Sequence, residues 1–421
     1  MSAFTYSTST ESNLMKVKYG ALIEKQFNKS SVIVGRAKRK LDFVGSQIER
    51  PVIQSIGGGV GAGSLPTANH NKIGKATITS KKLYAIASID RESMKASKSD
   101  EGAFVQFTKF PVKIAVDSFN RNLERMLIRN DVAGAGALVT GNASNSNVTG
   151  AGSSGDPYLV NFSVASTYFP AEFEGIEEGD LLNVNTETTA LEVSAVAITH
   201  ASGYATAIIS LVGTSARLAT LAGANPFTST DKLYMQNSKD SEMFGLKGIL
   251  AASSSTLYGI TVGRRWQAFQ KSAASAALST DLLNEAILNL KRQCGESPNL
   301  ILCSYHQFVK LLNLLEDQKS INLPVRDEKL KGQLSFSAIE YIGPDGAIPV
   351  VPSRFMDGDK VYMLNDNHME LCLRPGGFDW FDEDGQVFLR DSTDSYSARF
   401  GGYGQFFVNP HFQSQITSLA M

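Results

Sequence analysis

The alternation of apolar and polar positions is most regular between residues 100 and 131. Val112, Ala115, Val116, Phe119, Leu123, Met126 and Leu127 recur at steps of three and four, which puts them on one face of a helix. The opposite face carries Lys113, Asp117, Asn120, Arg121, Glu124, Arg125 and Arg129, with Asp117 and Arg121 one turn apart and able to pair. Pro111 suits the first turn of such a helix; if Phe104 and Phe107 are helical too, it kinks a longer one instead. From 111 to 130 the helix spans roughly 30 Å. It is either a scaffold laid across a β-rich protein or the amphipathic core helix of an ordinary enzyme.

The flanking pattern is mostly of period two. Residues 51–56 and 75–89 alternate and favour β-branched side chains, which predicts two strands joined by a Gly-rich tip at 57–74. Residues 90–99 read as a short charged helix or turn. Residues 132–157, rich in Gly, Ala, Ser and Asn, read as a loop or linker. From 158 to about 235, short strands alternate with turns and predict a small all-β insert. Its strands are read at 158–164, 172–176, 191–200, 204–213 and 231–236. His200, beside a turn, reads as a surface residue.

Further on, Ser279, Thr280 and Asp281 cap a helix that Gly295 ends. A buried strand follows at 299–304, then a second amphipathic helix from 305 to about 317 with Phe308, Leu311, Leu312 and Leu315 on one side. Short strands are expected at 335–342, 348–351, 360–364, 369–373, 387–390, 397–400, 404–408 and 413–417. Few helices with many strands make the chain α+β.

Composition narrows the function. A chain of 421 residues implies two or three domains. Forty Lys and Arg stand against 41 Asp and Glu, so the net charge of −1 gives no strong overall field for nucleic acid or membrane. No apolar run approaches the roughly 20 residues of a membrane span, and the first twenty residues lack the apolar core of a signal peptide. Cys294, Cys303 and Cys372, odd in number and without CxxC spacing, read as reduced, buried thiols of a protein made in a cytoplasm. Up to residue 40 the chain is polar and then basic. Lys16, Lys18, Lys25, Lys29, Arg36, Lys38, Arg39 and Lys40 face only Glu11 and Glu24. Such an arm either grips a neighbouring subunit or an anionic surface, or is a solvated tail.

Candidate chemistry is sparse. Gly59, Gly61 and Gly63 after a strand invite a dinucleotide-loop reading, but that motif needs a helix N-terminus next, and Ser64-Leu65-Pro66-Thr67 is turn chemistry. A flexible tip draped over a neighbour accounts for the glycines better. His70, His200, His306, His368 and His411 are scattered, with no HxH or HExxH spacing, and no GxSxG occurs. Asp382-Glu383-Asp384-Gly385, in an acidic stretch that also holds Asp379, Asp391 and Asp394, lacks the terminal Glu of a calcium loop and reads as a solvated turn. Arg264-Arg265-Trp266 could stack on a base or phosphate, but one triplet is a weak signal. No catalytic, cofactor-binding or metal-binding residue is assigned.

The order of parts resembles the major capsid proteins of tailed double-stranded-DNA phages, of the Hong Kong 97-like fold. The likeness is carried by the hairpin at 51–89, the helix at 111–130, Asn299-Leu-Ile-Leu-Cys-Ser-Tyr-His-Gln-Phe308 with its Leu-rich helix, residues 342–353 with 358–364, and the aromatic tail 402–410. It rests on layout rather than on an invariant motif. The resemblance implies an α+β capsid fold with an N-terminal arm at 1–44 and an extended loop at 45–92. A peripheral domain with the spine helix at 93–135 would be completed by 236–255 and 396–421. A β domain inserted at 156–235 would stand outward as decoration, and an axial domain would occupy 256–395.

The implied role is structural: pentamers and hexamers of an icosahedral head enclosing double-stranded DNA, without enzyme activity, cofactor, metal or membrane. The partners implied are other copies of the chain, a portal, non-specific contact with packaged DNA, and a separate scaffolding protein, since only some 40 residues precede the hairpin. The location implied is the virion, after assembly in the host bacterial cytoplasm. Arg50, Lys75, Lys81, Lys82, Arg121, Glu124 and Arg125 are the expected subunit-interface residues. Two alternatives stay open. An encapsulin-like nanocompartment shell shares the fold but has less use for a decorating insert, and a nucleotide-binding enzyme would use the Gly-rich loop. Some capsid proteins of this kind weld their shells by a Lys–Asn isopeptide bond with a carboxylate as base. Lys72, Lys75, Lys81 and Lys82 lie in the hairpin and Asn409 near the end, but 395–421 contains no Asp or Glu. Glu124 could substitute, though nothing requires it. A non-covalent shell is therefore expected.

Overall fold

The computed structural model describes residues 32–55, 72–91, 101–131, 135–140, 146–164, 173–201, 204–222, 226–253, 256–317, 339–343, 346–381, 388–390 and 395–420. The first 31 residues, the Gly-rich tip, almost all of 90–99 and most of the acidic stretch 382–394 lie outside them.

The stripe of apolar residues is a single helix, Glu101–Arg129, of 29 residues, so Pro111 sits inside the longer of the two helices considered. Val112, Ala115, Val116, Phe119, Leu123, Met126 and Leu127 are all buried. This spine helix lies on a six-stranded sheet built around one long strand, Ser395–Val408. Phe119 meets Phe378 and Phe400 edge to face, with ring centroids 5.0 and 4.8 Å apart. Burying each such ring contributes on the order of 2 kcal/mol.

Ser395–Val408 pairs antiparallel with Lys81–Asp90 along most of its length, and also with Met369–Leu373, Asp379–Trp380 and Phe388–Arg390. The glycines in it suggested two short strands with a break. Here they serve close approach: a Cβ at Gly401 would strike the Leu83 carbonyl, and one at Gly404 would come 2.5 Å from the Cys372 carbonyl. Residues 75–89, expected as one strand, divide at Ser80. Lys72–Thr79 pairs with Gln47–Ser55 in the hairpin, while Lys81–Asp90 joins the sheet under the spine helix.

A second six-stranded sheet has the order Phe269–Ser272, Ser414–Thr417, Val361–Leu364, Leu300–Cys303, Gly346–Pro352, Ile339–Gly343. Its central strands are apolar at every position because both faces are covered. Leu300 and Leu302 join the core around the spine helix, and Ile301 and Cys303 join a separate core under the helices Thr280–Cys294 and Tyr305–Asp317. The first of these helices has the expected ends: Ser279 accepts from the Leu282 N–H at 3.2 Å, and Gly295 closes it at φ 80°. In the second, Phe308 and Leu311 are buried and Leu312 is half-buried.

A third core belongs to a seven-stranded antiparallel sheet in the order Ala137–Thr140, Lys232–Met235, Leu181–Val184, Leu191–Ala201, Tyr204–Val212, Tyr158–Val164, Ser146–Thr149. Two of its strands lie in the stretch read as a linker, and Leu181–Val184 was not foreseen. Residues 172–176, expected as a strand, are a turn where described. Short strands among Gly, Ser and Asn give too little alternation to be seen locally, and their pairing comes from the sheet. Among the described residues no helix is long and apolar enough to cross a membrane. Cys303 and Cys372 are buried free thiols and Cys294 is half-buried.

Candidate functional site

The spine helix organises the junctions between the parts of this chain. Its polar side, where Arg121, Glu124 and Arg125 are expected at a subunit interface, is covered within the chain: Asn120, Glu124 and Arg125 are buried. Arg121 reaches Glu177 and Asp180 of the seven-stranded unit rather than Asp117. Arg125 donates to Glu242 at 2.6 Å with both side chains about 5% exposed or less, so each charge is neutralised where water cannot reach it. Asn130 follows the last helical turn and closes the junction. Its amide donates to the Met243 carbonyl at 2.6 Å, and its Oδ1 accepts from Gly136 N–H at 2.9 Å. The segments entering and leaving the seven-stranded sheet are thus pinned to one helix end. Gly245 permits this closeness, since a Cβ there would strike the Met126 carbonyl.

The basic segment near the N-terminus docks on its own chain where it is described. Val32–Arg36 is one helical turn whose Val32, Ile33 and Val34 are buried against the spine helix. Val32 N–H donates to Glu124 Oε1 at 3.5 Å. Burial pushes the Glu124 carboxyl up from the ordinary 4.5 to about 7, opposed by that hydrogen bond and by Arg354. Arg36 pairs with Asp366 at 3.3 Å, both nearly buried, and Lys38–Lys40 adds a parallel edge strand to Met369–Leu373. The extended arm expected up to residue 44 is therefore folded onto the chain from 32 onward, because three consecutive apolar residues have a core to enter.

The hairpin residues divide in two. Arg50 is tethered inward: it pairs with Glu370, approaches Cys372 Sγ at 3.5 Å and lies over the Phe407 ring at 5.0 Å. Lys40 meets the same Glu370 at 2.8 Å. Among the described residues Lys75 pairs across the strands with Glu49 at 3.1 Å, an exposed pair that contributes little. Lys81 donates to the Asp240 carbonyl at 2.7 Å and Lys82 stands 5.9 Å over Tyr403. Beyond them Ile53 and Ile73 face each other in the hairpin register, 56% and 64% exposed.

Asp357 forms a further junction that the sequence did not signal. Arg129 at 3.6 Å, Lys247 at 2.9 Å and Lys360 at 2.7 Å surround its half-buried carboxylate and hold it well below the usual range, against the desolvation that would raise it. It ties the spine helix to the second sheet. Glu242, Asn130 and Asp357 are single polar residues in turns, and no local spacing marks them.

The chemical candidates do not converge. His306, His368 and His411 lie on separate elements, while His70 and the His200 side chain are outside the described residues. Asn409 caps a short turn by accepting from His411 N–H at 3.2 Å. Among the described residues no cluster of His, Cys, Asp and Glu could hold a metal ion.

Residues 212–382 match the family described as SU10 major capsid protein. No curated protein matches the sequence significantly. Among solved structures, the chain is similar to a chain of the Cyanophage A-1(L) capsid asymmetric unit. The identity is 13% with a TM-score of 0.51, over 92% of this chain and 91% of that one. It is also similar to a chain of the holo-SrpI encapsulin complex from Synechococcus elongatus PCC 7942, at 8% identity and TM-score 0.46, over 92% and 86%. A Gordonia phage Cozz chain gives 10% identity and TM-score 0.41, over 93% and 87%. The capsid-family match runs across most of the second sheet and its two helices, and the fold over nearly the whole chain is that of a tailed-phage capsid protein, the Hong Kong 97-like fold.

Proposed function

We propose that the chain builds an icosahedral phage head from its own pentamers and hexamers, enclosing double-stranded DNA, and acts as a structural subunit rather than an enzyme. Assembly takes place in the host bacterial cytoplasm with a separate scaffolding protein and a portal. The seven-stranded unit faces outward as decoration. The residues from about 256 to 395 pack around the local symmetry axes, and the spine helix with its sheet forms the periphery. The observation that carries this reading is the hairpin. Its two strands carry a matched pair of isoleucines, Ile53 and Ile73, each more than half exposed. Apolar surface presented on a projecting ribbon suits a seat on the next subunit, and many such moderate contacts close a shell through multivalency.

Sedimentation of the purified full-length protein tests it. Wild-type protein is expected to form fast-sedimenting assemblies. Ile53→Ser with Ile73→Ser should leave the subunit folded, its stability changed by only about 0.5 kcal/mol as at other exposed positions, yet unassembled. Wild-type protein that stays monomeric at all concentrations, or a double variant that assembles like wild type, would contradict the reading.

A further inference from the structure

Away from these junctions, a cavity of about 250 Å³ opens between the turn at 263–268, the end of the helix Thr280–Cys294 and the helical turn Pro410–Phe412. Arg264, Arg265, Arg292 and His411 line it, and no carboxylate does. None of the three guanidinium groups has an ion pair or hydrogen bond to another described residue.

The three arginines are held there by the fold. Trp266, 1% exposed, donates its indole N–H to the Leu257 carbonyl at 3.1 Å and anchors the turn, leaving Arg264 and Arg265 on its exposed side. Arg292 stands in the last turn of its helix, where the backbone dipole favours a cation. Gln293 ties two of the walls together: its amide reaches the Gln267 carbonyl at 3.0 Å and His411 Nδ1 at 3.2 Å. Burial and the neighbouring Arg265 hold His411 below its ordinary value, so at neutral pH the cavity carries the arginine charges alone.

Three exposed guanidinium groups line one opening with no carboxylate among its lining residues, which favours an oxyanion there, and their planar forks match an anion with at least two free oxygens. The lining is almost wholly polar, with Phe269 its one apolar member. Subunit contacts have apolar centres, whereas contacts to nucleic-acid backbone are polar and positive. We propose that Arg264, Arg265 and Arg292 form a phosphate-binding cavity that takes the phosphodiester backbone of packaged double-stranded DNA. Because the chain's net charge is −1, one such local site per subunit holds DNA at many points without an overall attractive field.

The ligand's identity rests on the shell reading, but the cavity can be tested on unassembled full-length protein. The measurement is binding of a mixed-sequence duplex of about 20 base pairs across a salt series, with shell formation scored in parallel. Each phosphate contact adds about 0.9 to the slope of log affinity against log salt. The variant Arg264→Gln, Arg265→Gln, Arg292→Gln is expected to lower that slope by about 2 to 3. A charge-matched Lys113→Gln, Lys239→Gln, Lys271→Gln variant should leave the slope nearly unchanged. Equal slopes for wild type and the arginine variant overturn the proposal, as does an equal fall in both variants. Loss of shells with unchanged duplex binding also overturns it, placing the arginines at a carboxylate of a neighbouring subunit. A fall confined to the arginine variant, in a protein that forms no shells, upholds the cavity while the shell reading fails.

Discussion

Glu124 illustrates what a single residue decides here. In the unfolded chain its carboxyl titrates near 4.5, and in the fold near 7, burial being the main cause. Between these values the folded state holds a proton that the unfolded state has lost, so stability falls as pH rises through the window. Charged and neutral groups surround the site from several elements: the Val32 N–H from the arm, Arg354, and Tyr305, which also feels Glu174. Glu124→Gln removes the titration. The variant is expected to match wild type near pH 4 and to exceed it by up to about 3 kcal/mol near pH 8. Thermal melts of both proteins across that range check this, and a difference independent of pH would contradict it. The sequence exposed the apolar stripe from Val112 to Leu127 because a period of 3.6 is a local signal. It did not expose the burial of Glu124 and Arg125, because Val32 and Glu242, which meet them, come from distant parts of the chain.

At the scale of elements, the same contrast holds. The helix Thr280–Cys294 was legible at both ends from Ser279 and Gly295, since caps are local chemistry. The strand Ser395–Val408 was broken in two by its glycines, whose role is the close approach of Lys81–Asp90 and Met369–Leu373. The seven-stranded sheet was read in part, but its first strands hid in a Gly- and Ser-rich stretch. That sheet has its own core, and Ala137 lies opposite Tyr234 in register, so the chain enters and leaves it at adjacent points. Replacing 137–235 by a short Gly/Ser linker should therefore leave the rest of the chain folded. It keeps the Arg125–Glu242 pair and removes the Glu177 and Asp180 partners of Arg121, a loss of about 1 kcal/mol for a partly exposed pair. Shells are expected to form still. A deletant that stays soluble and never assembles would show that this unit is a subunit contact instead of decoration.

At the scale of the molecule, two of the three buried clusters meet through the second sheet, which gives alternate residues of Leu300–Cys303 to each. Asp357 and its three cations fasten the same sheet to the spine helix. A subunit tied internally in this way can pass load to its neighbours without a covalent weld. Asn409 uses its side-chain oxygen to cap a turn, Glu124 lies buried under the arm, and residues 395–421 contain no Asp or Glu. Assembled particles boiled in detergent under reducing conditions are expected to run as one band near 45.4 kDa. A persistent ladder of multimers would contradict a non-covalent shell.

Electron microscopy of the purified full-length protein decides whether this chain is the subunit of a closed phage head. The expected images are closed shells of icosahedral outline whose faces resolve into hexamers and whose vertices resolve into pentamers, with the seven-stranded units projecting outward. Dispersed subunits at every concentration tried would contradict the account, and shells that form only around a packaged enzyme would replace the phage head with a nanocompartment.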